Sequence, residues 1–457
     1  MFKKALIVLL VLAMVVSMFA GCQKSETPTT KEQTASQDSN ATTTVEKKDF
    51  TLKVWTFQTF SNETDQRVID QIQKFSQTSG VNVVVETVPE TTYTPKFTAS
   101  LEAGALPDVM CMRPDHINIT YPNIPFLDIT QIYREIEKNT GRKFIEGYVE
   151  HLTAEGKVYA IPFFTSGQPG VYRTDLFKKA GYDKLPETWD EICEAALKVS
   201  DPSNGIYGLG IGCGPTDNDG ETALRLWIWS EGGALFDKDG NPDPVQPGTI
   251  KVVQKYVELY KAGAVPKAAT TWDAGGNNNS YLLRESALIF NPFTVVNAMK
   301  GNKDYEDLLE NTGATTLPKG SVGHFTKMFT TGGFAINAKC KHVDAAQQLL
   351  EFLCEKEWYN SFVALSAPLN PPVFEDAAEI EPWSTDPYCK IMIDMSLGQS
   401  GWFGYPCDTI EARKAGALVF NNYLLGKAIT RIIQENLDVE EGLKLLKKDM
   451  EDLLNRS

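Results

Sequence analysis

A two-lobed α/β fold is what the chain predicts, each lobe a mostly parallel sheet flanked by helices. Three observations carry it. Strand-like and helix-like segments alternate along the sequence, the pattern of sheets with helices packed on their faces. β-branched runs such as Val81 to Val88 read as strands buried on both sides. The stretch from Phe50 to Ser457 holds about 400 residues, ample for two lobes of ordinary domain size.

The elements follow in order. Thr51 to Phe57 reads as a strand. Ser61 or Asn62 can cap a helix in which Val68, Ile72 and Phe75 fall at helical spacing, and Gly80 ends it. Val81 to Val88 completes a βαβ unit. A helix around Lys96 to Glu102 follows, with Gly104 as C-cap, then a strand from Asp108 to Met112. Thr188-Trp189-Asp190-Glu191 is a capping box, with Ile192, Ala195, Ala196 and Val199 continuing one face. Asp344 opens another helix through Leu349, Leu350, Phe352 and Leu353. Asp438 and Glu441 form a second capping pair ahead of Leu443, Leu446, Met450 and Leu453.

The N-terminus carries different signals. Lys3 and Lys4 precede an uncharged run from Ala5 to Phe19, shorter than the ~20 residues a membrane-spanning helix needs. Ala20-Gly21-Cys22 closes it as a lipoprotein cleavage box would, with Phe19 where Leu is usual. Residues 1–21 are therefore expected to be a signal peptide. Cys22 supplies the thiol for a lipid, and two or three acyl chains make a firm anchor. Residues 22–49, rich in Thr, Ser, Gln, Glu and Lys, cannot bury enough apolar surface to order themselves and read as a tether.

Composition excludes several classes. A net charge of −15 disfavours nucleic acid and anionic lipid surfaces. Beyond Cys22, seven cysteines remain and none forms a CxxC pair. Cys111, Cys193 and Cys354 fall on strand or apolar helix positions, so buried reduced thiols are expected. None of His116, His151, His324 and His342 is spaced from another as metal ligands are, and no G-x-S-x-G elbow occurs. Gly208 to Gly214 misses the G-x-G-x-x-G spacing and reads as a strand entering a loop. No catalytic residue, metal or cofactor is expected.

An ordered set of motifs carries a resemblance. It comprises Thr51 to Trp55, the turn Gly104-Ala105-Leu106-Pro107-Asp108-Val109, Lys157 to Pro162 and Tyr172 to Gly181. Pro186 to Glu191, Trp229 to Gly233 and Gly332 to Ile336 complete it. The chain resembles the extracellular solute-binding proteins of family 1, the class that includes maltose-binding protein, over Phe50 to Ser457. The resemblance implies a periplasmic-binding-protein-like fold with ligand in a cleft between lobes, closing by hinge motion. It places lobe 1 at 50–163 and 318–365, and lobe 2 at 164–317 and 366–457. It implies a monomer that captures a carbohydrate and delivers it to ABC permease subunits, held to the outer face of the cell membrane by its lipid.

Sugar binding needs aromatic faces for the ring and planar polar groups for its hydroxyls, on loops at the carboxyl ends of strands. That rule selects Phe57 and Gln58, then Arg113, Asp115 and His116, then Phe163, Phe164 and Ser166. In the related arrangement Asp115 corresponds to a hydroxyl-binding Asp and His116 to its neighbouring Arg. Met112 stands where a stacking Trp would, and Ser166 where a Glu would. Asp217 and Asp219 fall in a further binding loop. Trp272, Asn277 and Asn278 share a Gly-rich loop, where Trp272 is expected to stack on a ring. Phe293 is a second stacking candidate. Gly333 would let the backbone approach the ligand. Trp402 and Tyr405 lie where the family has its last stacking aromatic. Three rival classes stand beside this reading: a secreted glycosidase, which needs two facing carboxylates, a binder of a non-sugar solute, and a receptor subunit that signals rather than imports.

Intact-mass analysis of protein extracted from membranes is expected to find Cys22 as the first residue, carrying lipid. A soluble product that begins elsewhere would overturn the anchor.

Overall fold

The computed structural model describes residues 46–58, 61–328, 331–377 and 379–456. The signal segment, Cys22 and the tether up to residue 45 lie outside them. β1 (Thr51–Gln58) pairs in parallel with β2 (Asn82–Pro89), Thr51 opposite Asn82 and Gln58 opposite Pro89. α1 (Asn62–Ser79) makes the crossover between them. The Ser61 hydroxyl accepts the Thr64 N–H at 3.4 Å, and Gly80 ends the helix at φ 73°, where a side chain would be strained. Val68, Ile72 and Phe75 are all buried, as their spacing predicts.

α2 (Glu90–Glu102) starts earlier than the expected Lys96 and contains Pro95. The stripe Tyr93, Phe97, Leu101 explains the extension, because burial of Tyr93 and Phe97 outweighs the helix-breaking tendency of Pro95. β3 (Val109–Met112) then runs parallel to β1, and α3 (Pro114–Thr120) leaves its carboxyl end. The chain passes from β4 (Ile161–Phe164) to β5 (Gly170–Arg173). α4 (Trp189–Val199) is capped by Thr188, whose hydroxyl accepts the Glu191 N–H and donates to Glu191 Oε2 at 2.7 Å.

Next come α5 (Asn218–Ser230), α6 (Gly276–Leu282), β6 (Leu288–Phe290), α7 (Thr294–Met299) and β7 (Thr312–Thr315). β8 (Phe325–Met328) precedes β9 (Gly332–Ile336), and β10 (Gln399–Gly401) pairs with β8. α8 (Val343–Leu353) starts one residue before Asp344. α9 (Ile410–Asn421) and α10 (Val439–Leu454) lie near the C-terminus. Asp438 caps α10, accepting the N–H groups of Glu440 and Glu441.

Strand direction is more mixed than simple alternation suggests. The first sheet has the order β2-β1-β3-β9-β4, with β9 antiparallel to both neighbours. The second has the order β6-β5-β7, both pairs antiparallel, and parallel bridges join Tyr207 to Ser286 and Gly210 to Ile289 at its edge. The second sheet is covered on both faces, Leu288 and Phe290 facing one core and Val171 and Ile289 the other.

Leu317, Phe325 and Met328 pack in one core with Phe177, Trp189 and Trp229, and the chain joins the first sheet again at β9. The segment after 366 packs on the elements around Phe144 and Arg142. Phe374 stacks on Phe144 at 4.3 Å, Trp383 donates its indole N–H to the Val363 carbonyl at 2.7 Å, and Arg142 pairs with Asp376 at 2.8 Å. Asp386 then pairs with Lys300 at 3.7 Å, and Tyr388 lies edge-on to Phe293 and donates to the Thr312 carbonyl at 3.1 Å. The seven cysteines from Cys111 to Cys407 are buried and none forms a disulfide. Burial pushes the Cys193 thiol up to about 12.

Candidate ligand-binding site

A cavity of about 950 Å³ has walls from both lobes. β1 delivers Thr56 and Phe57 at its carboxyl end, and β3 delivers Arg113 just beyond its last residue. β4 and the crossing behind it bring Phe163, Phe164, Ser166 and Gln168. The first turn of α5 brings Asn218 and Asp219, and the loop before α6 brings Asp273. α9 contributes Leu418 and Asn421.

One wall is aromatic. Phe57 and Phe164 meet edge to face at 5.7 Å, and Phe163 packs against Phe334 at 4.9 Å and Phe362 at 5.0 Å. The other wall is a polar network. Asp219 accepts the Gln168 amide on Oδ1 at 2.7 Å and the Asn277 amide on Oδ2 at 2.9 Å. Asn277 also donates to the Phe290 carbonyl at 3.0 Å. Asn278 Oδ1 accepts from Thr294 at 2.9 Å and Asn291 at 3.1 Å. Such bonds fix planar groups in place before a ligand arrives, which lowers the cost of binding.

Arg113, Ser166, Asn278 and Phe163 line the cavity, as do Phe57 and Phe164. Asp115 sits one layer behind: its Oδ1 takes Arg113 Nε at 3.3 Å and its Oδ2 takes Asn421 Nδ2 at 3.2 Å. Burial would raise its carboxyl, but the Arg113 guanidinium and the Asn421 amide outweigh burial and hold it below the usual range. Asn277 likewise acts from behind, orienting Asp219.

The remaining candidates lie elsewhere. Gln58 is exposed at the end of β1, outside the lining. His116 is fully buried between Tyr93 and Phe97. Its Nδ1 accepts the Arg113 N–H at 3.0 Å, so Nε2 carries the proton towards Thr94 Oγ1 at 3.3 Å. Burial takes its pKa down to about 4, so the ring is neutral and structural. Phe293 is a core residue at φ 67°, and Tyr405 packs on Trp229 and Phe325. Trp402 lies under the Arg413 guanidinium at 3.7 Å. A Cβ on Gly333 would come within 1.8 Å of the Ile161 carbonyl, so this glycine serves strand packing.

Trp272 does not line the cavity either. Its ring occupies space that Gly276 and Gly212 leave open, where a Cβ would come within 2.3 Å and 3.0 Å of it. Asp217 caps α5, accepting the Gly220 N–H at 2.8 Å, while its Oδ2 has no hydrogen-bond partner among the described residues. Burial drives its carboxyl up to about 8, against the Gly220 bond and with the carboxylates of Asp219, Asp273 and Glu221 adding to the rise. Gln168, Lys327 and Asn421 were not singled out from sequence. Gln168 stands two residues beyond Ser166, which was.

The sequence model of the bacterial extracellular solute-binding protein family matches residues 61–359. A protein of Brucella abortus (strain 2308), named as a binding protein, is 23% identical over 308 residues, 67% of this chain and 72% of its own. A mannitol-binding protein of Pseudomonas aeruginosa is 25% identical over 199 residues, 43% of this chain and 45% of its own. The crystal structure of an ABC transporter solute-binding protein from Thermotoga lettingae, bound with alpha-D-tagatose, superposes with a TM-score of 0.72 at 20% identity. It covers 88% of this chain and 99% of its own.

Two outcomes test this site. Trp272→Ala is expected to destabilise the ligand-free protein by about 2–3 kcal/mol, by leaving a cavity against the glycines; calorimetry checks it. Unchanged melting with lost ligand affinity would return Trp272 to a stacking role. Asp217 has a folded pKa above its ordinary value, so its contribution to stability is lost as pH rises from about 4 to 8. Asn caps as well and carries no charge. Asp217→Asn should therefore gain stability over the parent on the order of 2–4 kcal/mol between pH 5 and pH 8. An equal difference at both pH values would contradict the buried-acid account.

Proposed function

The chain belongs to the bacterial extracellular solute-binding protein family, and from that premise we propose that it is the binding subunit of an ABC importer, taking a sugar or polyol into the cavity between its lobes. The observation that carries the reading is the pairing of walls: Phe57, Phe163 and Phe164 on one side, Asp219, Asn278 and Asp273 on the other. Aromatic faces cover the C–H face of a sugar ring, and planar carboxylates and amides take its hydroxyls. The tagatose bound to the Thermotoga protein and the mannitol-binding name of the Pseudomonas relative support a small polyhydroxylated solute.

The loaded, closed protein would dock on permease subunits as a monomer. A lipid on Cys22, with residues 23–49 as tether, would hold it near them on the outer face of the membrane. Binding without chemistry agrees with the family, whose members are binding proteins.

A thermal-shift screen over monosaccharides, polyols and short oligosaccharides tests the reading. A true ligand at 100 times its dissociation constant should add about 2.7 kcal/mol of stability. Small-angle scattering with that ligand should show a smaller radius of gyration. The absence of any stabilising carbohydrate would count against sugar binding, and released monosaccharide would favour the glycosidase.

A further inference from the structure

We infer that the sugar held in this cavity carries an aryl group, so that an aryl glycoside binds in preference to the unsubstituted sugar. The inference rests on the sugar reading above and narrows it. At about 950 Å³ the cavity lies near the top of the roughly 300–1,000 Å³ range of small-molecule sites. It has room beyond one sugar ring, and the added room is lined differently.

Strand β4 divides the lining. Successive side chains on a strand point to opposite faces of the sheet. Phe164 turns to the face where it meets Phe57, on the wall assigned to the sugar. Phe163 turns to the other face, where it packs on Phe334 and on Phe362 of the helix Lys356–Leu365. α1 is tied to that helix, Arg67 donating to Ser361 Oγ at 2.5 Å. Val68 of α1 and Leu369, just beyond the helix, complete this part of the lining. Val68, Phe163, Phe334, Phe362 and Leu369 are each 8% exposed or less, yet all of them line the cavity. Together they form an apolar recess that opens into the ligand space.

Polar partners are scarce there among the described residues. Thr64 Oγ1 already shares a hydrogen bond with Ser61 Oγ at 2.8 Å, and the Thr56 hydroxyl donates to Thr87 Oγ1 at 3.3 Å. Asp65 and Asn370 are half-buried, nearer to solvent than the apolar side chains. A second sugar ring pushed into the recess would strip water from its hydroxyls without replacing their bonds, at a cost for each one. An apolar group has no such cost and gains by leaving water. The phenyl rings favour a flat aromatic group over an alkyl chain. Phe163 lies at 29° to Phe362 and at 73° to Phe334, so the recess offers both the offset-stacked and the edge-on packing that aromatic pairs adopt. The solute that matches the whole lining is amphiphilic, with hydroxyls towards Asp219 and Asn278 and an aryl group against Phe163, Phe362 and Leu369.

The test uses the mature protein and isothermal calorimetry with phenyl glycosides of glucose, galactose, mannose and xylose. Each is paired with the methyl glycoside of the same sugar and anomer. At least one phenyl glycoside should bind about ten- to a hundredfold tighter than its methyl counterpart, as burial of a Phe-sized group implies. Its binding should also show the more negative heat-capacity change, the mark of apolar burial. Leu369→Trp, which fills the recess, should bring the phenyl-to-methyl ratio close to one. Val68→Thr, which keeps the shape and adds a hydroxyl, should lower the ratio several-fold. Circular dichroism confirms that each variant folds. Equal binding of phenyl and methyl glycosides in every pair, or a ratio unmoved in both variants, would overturn the inference and leave the sugar reading standing. No binding by any carbohydrate would overturn both.

Discussion

Strand β9 is the constraint on which the rest of the molecule depends. It enters the first sheet against the direction of its neighbours and fills the gap between β3 and β4. The fit is close enough that Gly333 lies against the Ile161 backbone and Gly332 against the Phe164 ring, where any Cβ would collide. Burial of Phe334, Ala335 and Ile336 offsets the cost of bringing a distant segment back into the sheet. Because β9 follows β8 so closely, this insertion fixes where Lys327 and Met328 stand. Because β9 also touches β4, it fixes Phe163 and Phe164. One strand thus sets the floor of the cavity from both lobes.

Around that floor, buried polar groups join segments far apart in sequence. His151 Nδ1 meets Thr331 Oγ1 at 2.6 Å, Thr331 bonds Thr165 at 3.2 Å, and Tyr148 meets Ser396 at 2.8 Å. Thr165 and Thr331 lie beside β4 and β9, while Tyr148 and Ser396 lie on two helices. Burial lowers His151 well below its ordinary value, with Lys327 adding to the drop, so the ring stays neutral in a region that already holds one ammonium. The Asp219 network does the same work on the ligand side. In both places, the groups are oriented by amide or hydroxyl donors rather than by ion pairs. That keeps geometry fixed at a lower desolvation cost than opposed charges would bring.

Local features of the fold were legible in the sequence. Ser61, Thr188 and Asp438 cap the helices they announce, since a cap is decided by residues within one turn. The strand ends that carry Phe57, Arg113 and Phe163 were also readable, because the rule for carboxyl ends needs only strand positions. Residues judged by their neighbours were harder. Trp272 and Trp402 sit in Gly-rich stretches that look exposed. The glycines around Trp272 instead form a hollow for its ring, and Trp402 is covered by Arg413 from a helix beyond it. Phe293 hides behind a left-handed backbone that no local signal marks. Gln168 and Asn421 become cavity residues only through contacts with Asp219 and Asp115, across wide sequence gaps.

The placement of the tryptophans has an optical consequence. None of the eight lines the cavity, and Trp189 and Trp227 stack at 4.6 Å deep in the second lobe. A solute entering the cleft therefore touches no indole, and emission from most of these rings reports the integrity of the lobes. Trp402 differs in its setting. It lies edge-on to His151 at 6.4 Å, with the Arg413 guanidinium on its face, beside the strands that cross between lobes. A change in its fluorescence when solute is added would then be transmitted through these strands, without contact between fluorophore and ligand.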